Sequence, residues 1–272
     1  SSGRIAVDDQ PLATKLLVTL QGGEGDDPAA RAGWRGKVEG QCNALQLQLT
    51  VSTTSAMPLV DDAAEATIDL RIDGQVGAAR VAFDGRAGAL LGARRLEGAL
   101  KFGGPSLDRV GKPLGVTLPQ SPLFELEGRI AHDAGLWQLS ARRATIGKSR
   151  LAGEFEFDSR RATPKLTGRL TGSRLAFADL GPAIGANSGA VKQPAQRTGR
   201  VLPQRNFDLP SLRQMDADVQ VNIDELNFGT DAMAPLRGVS THLVLAGGRL
   251  ELQQIKALVA GGNISGTSSY DS

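Results

Sequence analysis

The chain is short of the residues that build chemical sites and thick cores. It holds 1 cysteine and 2 histidines in 272 residues, and only 4% of it is aromatic. A lone cysteine, Cys42, cannot close an internal disulfide, so a disulfide scaffold is excluded. Thiol poverty fits a reducing compartment and equally a periplasmic protein that avoids thiols. Charge of one sign is lacking too: 31 basic and 29 acidic residues leave a formal charge of +2. With no basic run, a nucleic-acid partner is not indicated. Long apolar runs are also missing. The charge-free stretch 41–60 alternates Leu with Gln and then Thr with Ser, which is a strand pattern and not a membrane span. The opening SSGRIAVDDQ has neither a basic n-region nor an apolar h-region, so no signal peptide is read there. The first residues start in mid-pattern, and Tyr270-Asp271-Ser272 close a hairpin without a cap. The expectation is a segment of a longer protein.

What is present is alternation. Apolar residues recur with period two at Leu45, Leu47, Leu49 and Val51, at Ile68, Leu70 and Ile72, and at Leu96, Leu100 and Phe102. Ala217, Val219, Val221 and Ile223 continue the pattern, with Asp216, Asp218, Gln220, Asn222 and Asp224 opposite. Such strands have one apolar and one wet face. Asp73-Gly74 and Asp84-Gly85 read as hairpin signals. The 105–111 stretch, among Pro105, Pro113, Pro119 and Pro122, predicts a short helix with Ser106 as cap. Residues 179–184 predict a helical turn. The apolar-poor run after it, with scattered Gly, Pro and Gln, reads as an insert. The chain thus divides into a β-sheet segment over 1–178, a short helix with a flexible insert or linker over 179–212, and a continuation of the sheet over 213–272.

One unit occurs twice. Residues 135–158 (GLWQLSARRATIGKSRLAGEFEFD) and 248–271 (GRLELQQIKALVAGGNISGTSSYD) align without a gap. In the first, Trp137, Leu139 and Ala141 give way to Ala144 and Ile146, and in the second, Leu250 and Leu252 give way to Ile255, Ala257 and Val259. Both switch parity at the same place, as a β-bulge or sharp bend requires. The predicted unit is a hairpin bent at 141–143 and 253–255, with Gly153 and Gly266 relieving crowding on the return strand. A second small pattern places glycine between apolar residues: Leu96-Gly98-Leu100, Leu126-Gly128-Ile130, Leu151-Gly153-Phe155 and Leu166-Gly168-Leu170. Glycine there permits close approach or strong bending.

Catalytic signals are weak. His132 and His242 belong to no metal-spaced cluster and read as strand or turn residues. Gly147-Lys148-Ser149 ends like a P-loop, but Arg142 stands where the loop needs glycine, so it reads as a turn. No G-x-S-x-G elbow occurs. Asp8-Asp9, Asp26-Asp27 and Asp61-Asp62 lie in loop-like sequence, where paired carboxylates are usually solvated. Cys42 reads as a small apolar residue. Asn263-Ile264-Ser265 matches a glycosylation sequon inside a strand pattern. No cofactor motif, catalytic residue or metal ligand is assigned.

The runs PSLDRVGKPLGVTLPQSPLFELEGRI and LPSLRQMDADV, and the pattern LAGGRLELQQIKA followed by GGNISG, resemble the AsmA family of bacterial envelope proteins over roughly residues 96–272. That resemblance implies a periplasmic protein anchored in the inner membrane by a helix that this sequence lacks. It implies a β-groove with an apolar interior, proposed to carry phospholipid toward the outer membrane, and no catalytic motif. The expected fold is mainly β: a long curved antiparallel sheet of bent hairpins rolled into a trough, with one or two short helices. The candidate groove-lining residues are Trp137, Leu139, Ile146, Leu151, Phe155, Val219, Val221, Ile223, Leu250, Leu252 and Val259. The expected partners are phospholipid or another acyl-chain lipid, the inner membrane through a segment absent here, and envelope proteins. The alternative is a non-enzymatic envelope scaffold whose apolar faces close into a dry core and whose partner is a protein or polysaccharide.

Overall fold

The computed structural model describes residues 2–9, 14–22, 33–42, 45–54, 67–88, 95–107, 109, 120–179, 215–229 and 234–271. They form one 15-stranded sheet whose spatial order is the order of the sequence. The strands are β1 (Ser2–Asp9), β2 (Thr14–Gly22), β3 (Trp34–Cys42), β4 (Leu45–Thr53) and β5 (Thr67–Val76). Next come β6 (Ala79–Gly88), β7 (Arg95–Gly104), β8 (Phe124–Asp133), β9 (Leu136–Ile146) and β10 (Ser149–Asp158). The last five are β11 (Lys165–Ala176), β12 (Asp216–Asn227), β13 (Leu236–Ala246), β14 (Arg249–Val259) and β15 (Gly262–Asp271). At a strand spacing of about 4.8 Å the sheet is about 65–70 Å long. It does not close, because β1 and β15 each have one neighbour. Each strand packs substantially only against its neighbours in the sheet, so no second layer forms among the described residues.

The expected antiparallel order holds at every junction except one: β11 and β12 run parallel, with Leu166 opposite Ala217 and Leu170 opposite Val221. Parallel pairing requires the chain to leave β11 at one edge of the sheet and re-enter at the other. The connection, most of the predicted 179–212 insert, lies beyond Asp179 outside the described residues. The sheet therefore has two lips. The near lip carries the turns at 77–78, 147–148 and 260–261, and the far lip carries those at 134–135 and 247–248.

Both predicted bends are present. In β9, Ala141 pairs with Gly128 and Arg143 with Glu127, leaving Arg142 as the extra residue. In β14, Leu252 pairs with Ser268 and Ile255 with Gly266, again one residue too many. The band of irregular pairing also crosses β11 and β13 between them. Arg150 pairs with Arg174 but Leu151 with Gly172, so Ser173 is extra in β11. The pairing of β13 with β14 shifts twice. Bulges bend strands and raise their twist, so those on β9, β11, β13 and β14, with β12 in regular register between them, curl the sheet lengthwise into a trough.

Several expectations are corrected. Asp73-Gly74 and Asp84-Gly85 do not turn; they lie inside β5 and β6, and the hairpin turns at Gly77-Ala78. Gly74 is a close-approach glycine: a Cβ there would stand 2.1 Å from the Gln48 carbonyl oxygen across the sheet. Gly266 relieves no crowding, since nothing lies within 4 Å of a Cβ at that position. Asp8-Asp9 close strand β1 and are not loop residues, while 26–27 and 61–62 lie outside the described residues. The helical turn expected over 179–184 is a 3-10 turn at 177–179, with the rest outside the description. Of the 105–111 helix only its first residues and Arg109 are described. There the Ser106 hydroxyl accepts the Ser121 amide at 2.8 Å, and Ser121 Oγ accepts the Leu107 amide at 3.0 Å.

Candidate functional site: the apolar face of the sheet

Cross-strand register converts the period-two pattern into continuous rows. One row on the apolar face runs Leu70, Gly85, Gly98, Ile130, Leu139, Phe155, Gly168, Val219, Leu243 and Leu252, each residue opposite the next. A second, nearer the far lip, runs Ile68, Ala87, Leu96, His132, Trp137, Phe157, Leu166, Ala217, Leu245, Leu250 and Tyr270. A third, beyond the bends, joins Leu126, Ala144, Leu151, Gly172, Ile223 and Val239. The parity switches at the bulges keep apolar residues on one face on both sides of the band; without them half of each long strand would present its polar side.

The eleven sequence-predicted residues all fall on this face. Leu139, Phe155, Val219 and Leu252 share the first row, and Trp137 and Leu250 the second. Leu151 and Ile223 share the third. Val221 pairs with Leu170, in the row between the first and third. Ile146 and Val259 end β9 and β14 at the near lip. Their exposure is graded: Ile223 retains 3%, whereas Trp137 retains 38%. Sequence reasoning missed a buried patch, Ile68, Leu70, Phe83 and Ala87 on β5 and β6. The signal was available in the alternation of β5, but the eleven come from the two copies of the repeat and from β12.

Glycine lowers this face where aromatic rings lie down on it. A Cβ on Gly98 would meet Phe83 Cζ at 2.7 Å, and one on Gly85 would meet it at 2.8 Å. Phe155 lies likewise over Gly153 and Gly168, whose added Cβ atoms would come within 2.7 Å and 2.8 Å of its ring. A ring flat on the backbone keeps its apolar area without standing up as a wall. The recurring apolar-x-Gly-x-apolar pattern is thus the imprint of a smooth floor.

The lips differ. At the far lip the His132 and Trp137 rings stack with centroids 4.0 Å apart, and His132 Nε2 accepts the Gly135 amide at 3.0 Å. At the near lip Phe102 meets Phe124, and Phe177 meets Phe228, each pair at 5.5 Å. Ala79 and Phe124 are buried there under Phe102, Leu107 and Ile146.

The opposite face is a charge ladder. Glu127 bridges Arg143 Nη2 at 2.7 Å and Lys101 Nζ at 3.4 Å, and the Arg143 hydrogen bond chiefly holds its carboxyl below the usual range. Asp218 accepts His242 Nε2 at 2.7 Å and faces Lys165 Nζ at 3.6 Å; the His242 bond is the main cause of its lowered pKa. Arg129 reaches Glu97, and Arg71 pairs with Asp84. Open depressions of about 690 and 810 Å³ are bordered in part by these side chains, including Lys101, Glu127, Arg129 and Asp218. Their charges are mostly paired with opposite charges, which favours a solvated outer wall over an ion-binding cleft. Among the described residues no group of three or more His, Cys, Asp or Glu could hold a metal ion. No helix of the described residues is long and apolar enough to cross a membrane.

A family model, the AsmA family, matches residues 19–272. The AsmA family protein YhjG of Escherichia coli (strain K12) is 28% identical over 295 residues, an alignment that covers 97% of this chain and 42% of the relative. No solved structure matches. The chain therefore spans less than half the length of that curated relative. With a family match over nearly its whole length, behind a one-sided apolar sheet, this chain belongs to the AsmA family.

Proposed function

We propose that the apolar face holds the acyl chains of phospholipid or a similar lipid, and that the protein moves or stores lipid in the bacterial envelope without catalysing a reaction. AsmA family membership fits an envelope-associated function. The observation that carries the lipid reading is the unbroken apolar row from Leu70 to Leu252 with no second layer over it among the described residues. An apolar surface of that extent requires an apolar occupant, and an acyl chain gains about 0.8 kcal/mol for each CH₂ it removes from water. Such binding needs no directed polar contacts, in keeping with a floor of Leu, Val, Ile, Ala and Phe. The charged outer face keeps the other side wet. The full reading places the chain in the periplasm, tethered to the inner membrane, with the trough serving lipid supply to the outer membrane. The closed-core scaffold gains no support from a sheet whose strands pack only on their neighbours.

The test is photo-crosslinking in cells from residues introduced at Leu139, Val221 and Leu252, with Gln138 and Gln220 on the outer face as controls. Phospholipid recovered from the three inner positions and not from the controls supports the reading. Lipid recovered from none of them, while an established lipid carrier scores in parallel, overturns it.

A further inference from the structure

Every tryptophan and tyrosine of the chain sits toward one lip. The sequence contains 2 tryptophans and 1 tyrosine. Trp137 is the second residue of β9 and Tyr270 the last but one of β15, both at the far lip, and the register places them in one row, Trp137 within it and Tyr270 at its end. Trp34 opens β3 at the same lip and pairs with none of the near-lip residues. It lies on the apolar face, since its ring would meet a Cβ on Gly36 at 3.0 Å and Gly36 pairs with Val51. The near lip carries Phe102, Phe124, Phe177 and Phe228 and neither tryptophan nor tyrosine, whereas at the far lip Phe157 stands opposite Trp137. Tryptophan and tyrosine carry an apolar body and a polar tip, and they collect where hydrocarbon meets water. Phenylalanine has no such tip.

Two details sharpen the asymmetry. Trp137 keeps 38% of its surface exposed although it belongs to the apolar face, and the stacked His132 ring holds it at the edge. The indole N–H of Trp34 is buried and has no hydrogen-bond partner among the described residues. A buried donor without an acceptor is costly, and an ester carbonyl that displaced the side chains covering it would satisfy it.

We infer that the trough orients its lipids: the glycerol-ester zones of phospholipids lie along the far lip, where Trp34, Trp137 and Tyr270 stand six strands apart on β3, β9 and β15, and the acyl chains point toward the near lip. This rests on the lipid reading above. The dimensions suit it. Strands of 10 to 12 residues span about 33–40 Å along the backbone, while one leaflet's hydrocarbon is about 15 Å deep.

Depth-dependent fluorescence quenching tests the inference. Three single-tryptophan proteins are needed: Trp34→Phe, which reports Trp137; Trp137→Phe, which reports Trp34; and Val259→Trp in the double Phe background, which reports the near lip. Each is loaded from vesicles of phosphatidylethanolamine and phosphatidylglycerol that contain phospholipid spin-labelled at acyl carbon 5 or carbon 16. The expected result is at least twofold stronger quenching by the carbon-5 label at Trp137 and Trp34, with the order reversed at position 259. Equal quenching by both labels at all three positions overturns the orientation, as does stronger carbon-16 quenching at Trp137. Absent quenching at all three, with lipid still crosslinked from Leu139, also overturns the orientation but leaves the lipid reading standing. Absent quenching with empty crosslinking removes both. Should Val259→Trp fail to fold, Ile146→Trp takes its place at the same lip.

Discussion

The Ser149 hydroxyl donates to the Asp179 carboxylate at 2.8 Å, and the amides of Lys148 and Ser149 donate to that same oxygen at 2.8 Å each. Ser149 Oγ in turn accepts the Ala176 amide at 3.0 Å. Ser149 is fully buried and Asp179 nearly so. The turn that resembled a phosphate loop does gather its amides on an anion, but the anion is the protein's own. It ties the β9–β10 turn to the end of β11, where the chain leaves the sheet.

Asp179→Ala should therefore cost several kcal/mol, because each buried donor left unpaired costs about 1–3 kcal/mol. Asp179→Asn keeps one carbonyl acceptor and should fall between alanine and wild type. Urea unfolding followed by circular dichroism measures both. An alanine variant as stable as wild type would mean that water replaces the carboxylate at no cost.

Gly168→Ala and Gly153→Ala should each destabilise by about 1–3 kcal/mol through overpacking, since both press on the Phe155 ring and on carbonyls of the facing strand. Gly266→Ala, where the space is open, should be neutral or gain up to about 1 kcal/mol. Melting temperatures of the three variants decide whether the flat ring or glycine content as such matters.

Gln254 holds φ at 52° at the second bend. An L-residue in that conformation costs about 1–2 kcal/mol, and glycine in a strand costs about 0.5–1 kcal/mol in entropy. Gln254→Gly should thus raise stability by up to about 1 kcal/mol, whereas Gln253→Gly beside it should lower it. The same sign at both positions would refute the bend geometry.

The Glu127 carboxyl is held below its ordinary value of 4.5 by Arg143 and Lys101. A depressed carboxylate pKa contributes stability that is present above the ordinary value and is lost as pH falls through the folded value. Glu127→Gln lacks that component, so its melting temperature should fall less than that of wild type between about pH 5 and pH 3. The difference will be small, because the pair is exposed and screened, and 1 M salt should shrink it further. Parallel acid profiles would assign the bridge no role in stability.

The bends were legible because a bulge leaves a trace in sequence: apolar parity changes at Ala141 to Ala144 and at Leu252 to Ile255 while the strand goes on. The turns after Asp73 and Asp84 were misread because Asp-Gly has one local chemistry for two uses. Gly74 serves close approach of backbones and Gly85 lies beneath a phenylalanine, and both depend on the neighbouring strand. The parallel junction left no trace at all. Alternation in β11 and β12 is the same whichever way the partner runs, and direction is decided by the path of the connection. The lip asymmetry needed the register, since Trp34, Trp137 and Tyr270 are far apart in the chain.

That single parallel junction has a consequence for symmetry. Strands β9 and β14 are five steps apart, and an odd number of antiparallel steps would set the second hairpin upside down relative to the first. The parallel pair restores the direction, so both copies start at the far lip and turn at the near one, at 147–148 and 260–261. The repeats are related by translation along the trough and not by a dyad. A translated motif preserves handedness and sidedness, so a molecule sliding along the floor meets the same edge on its left at every copy.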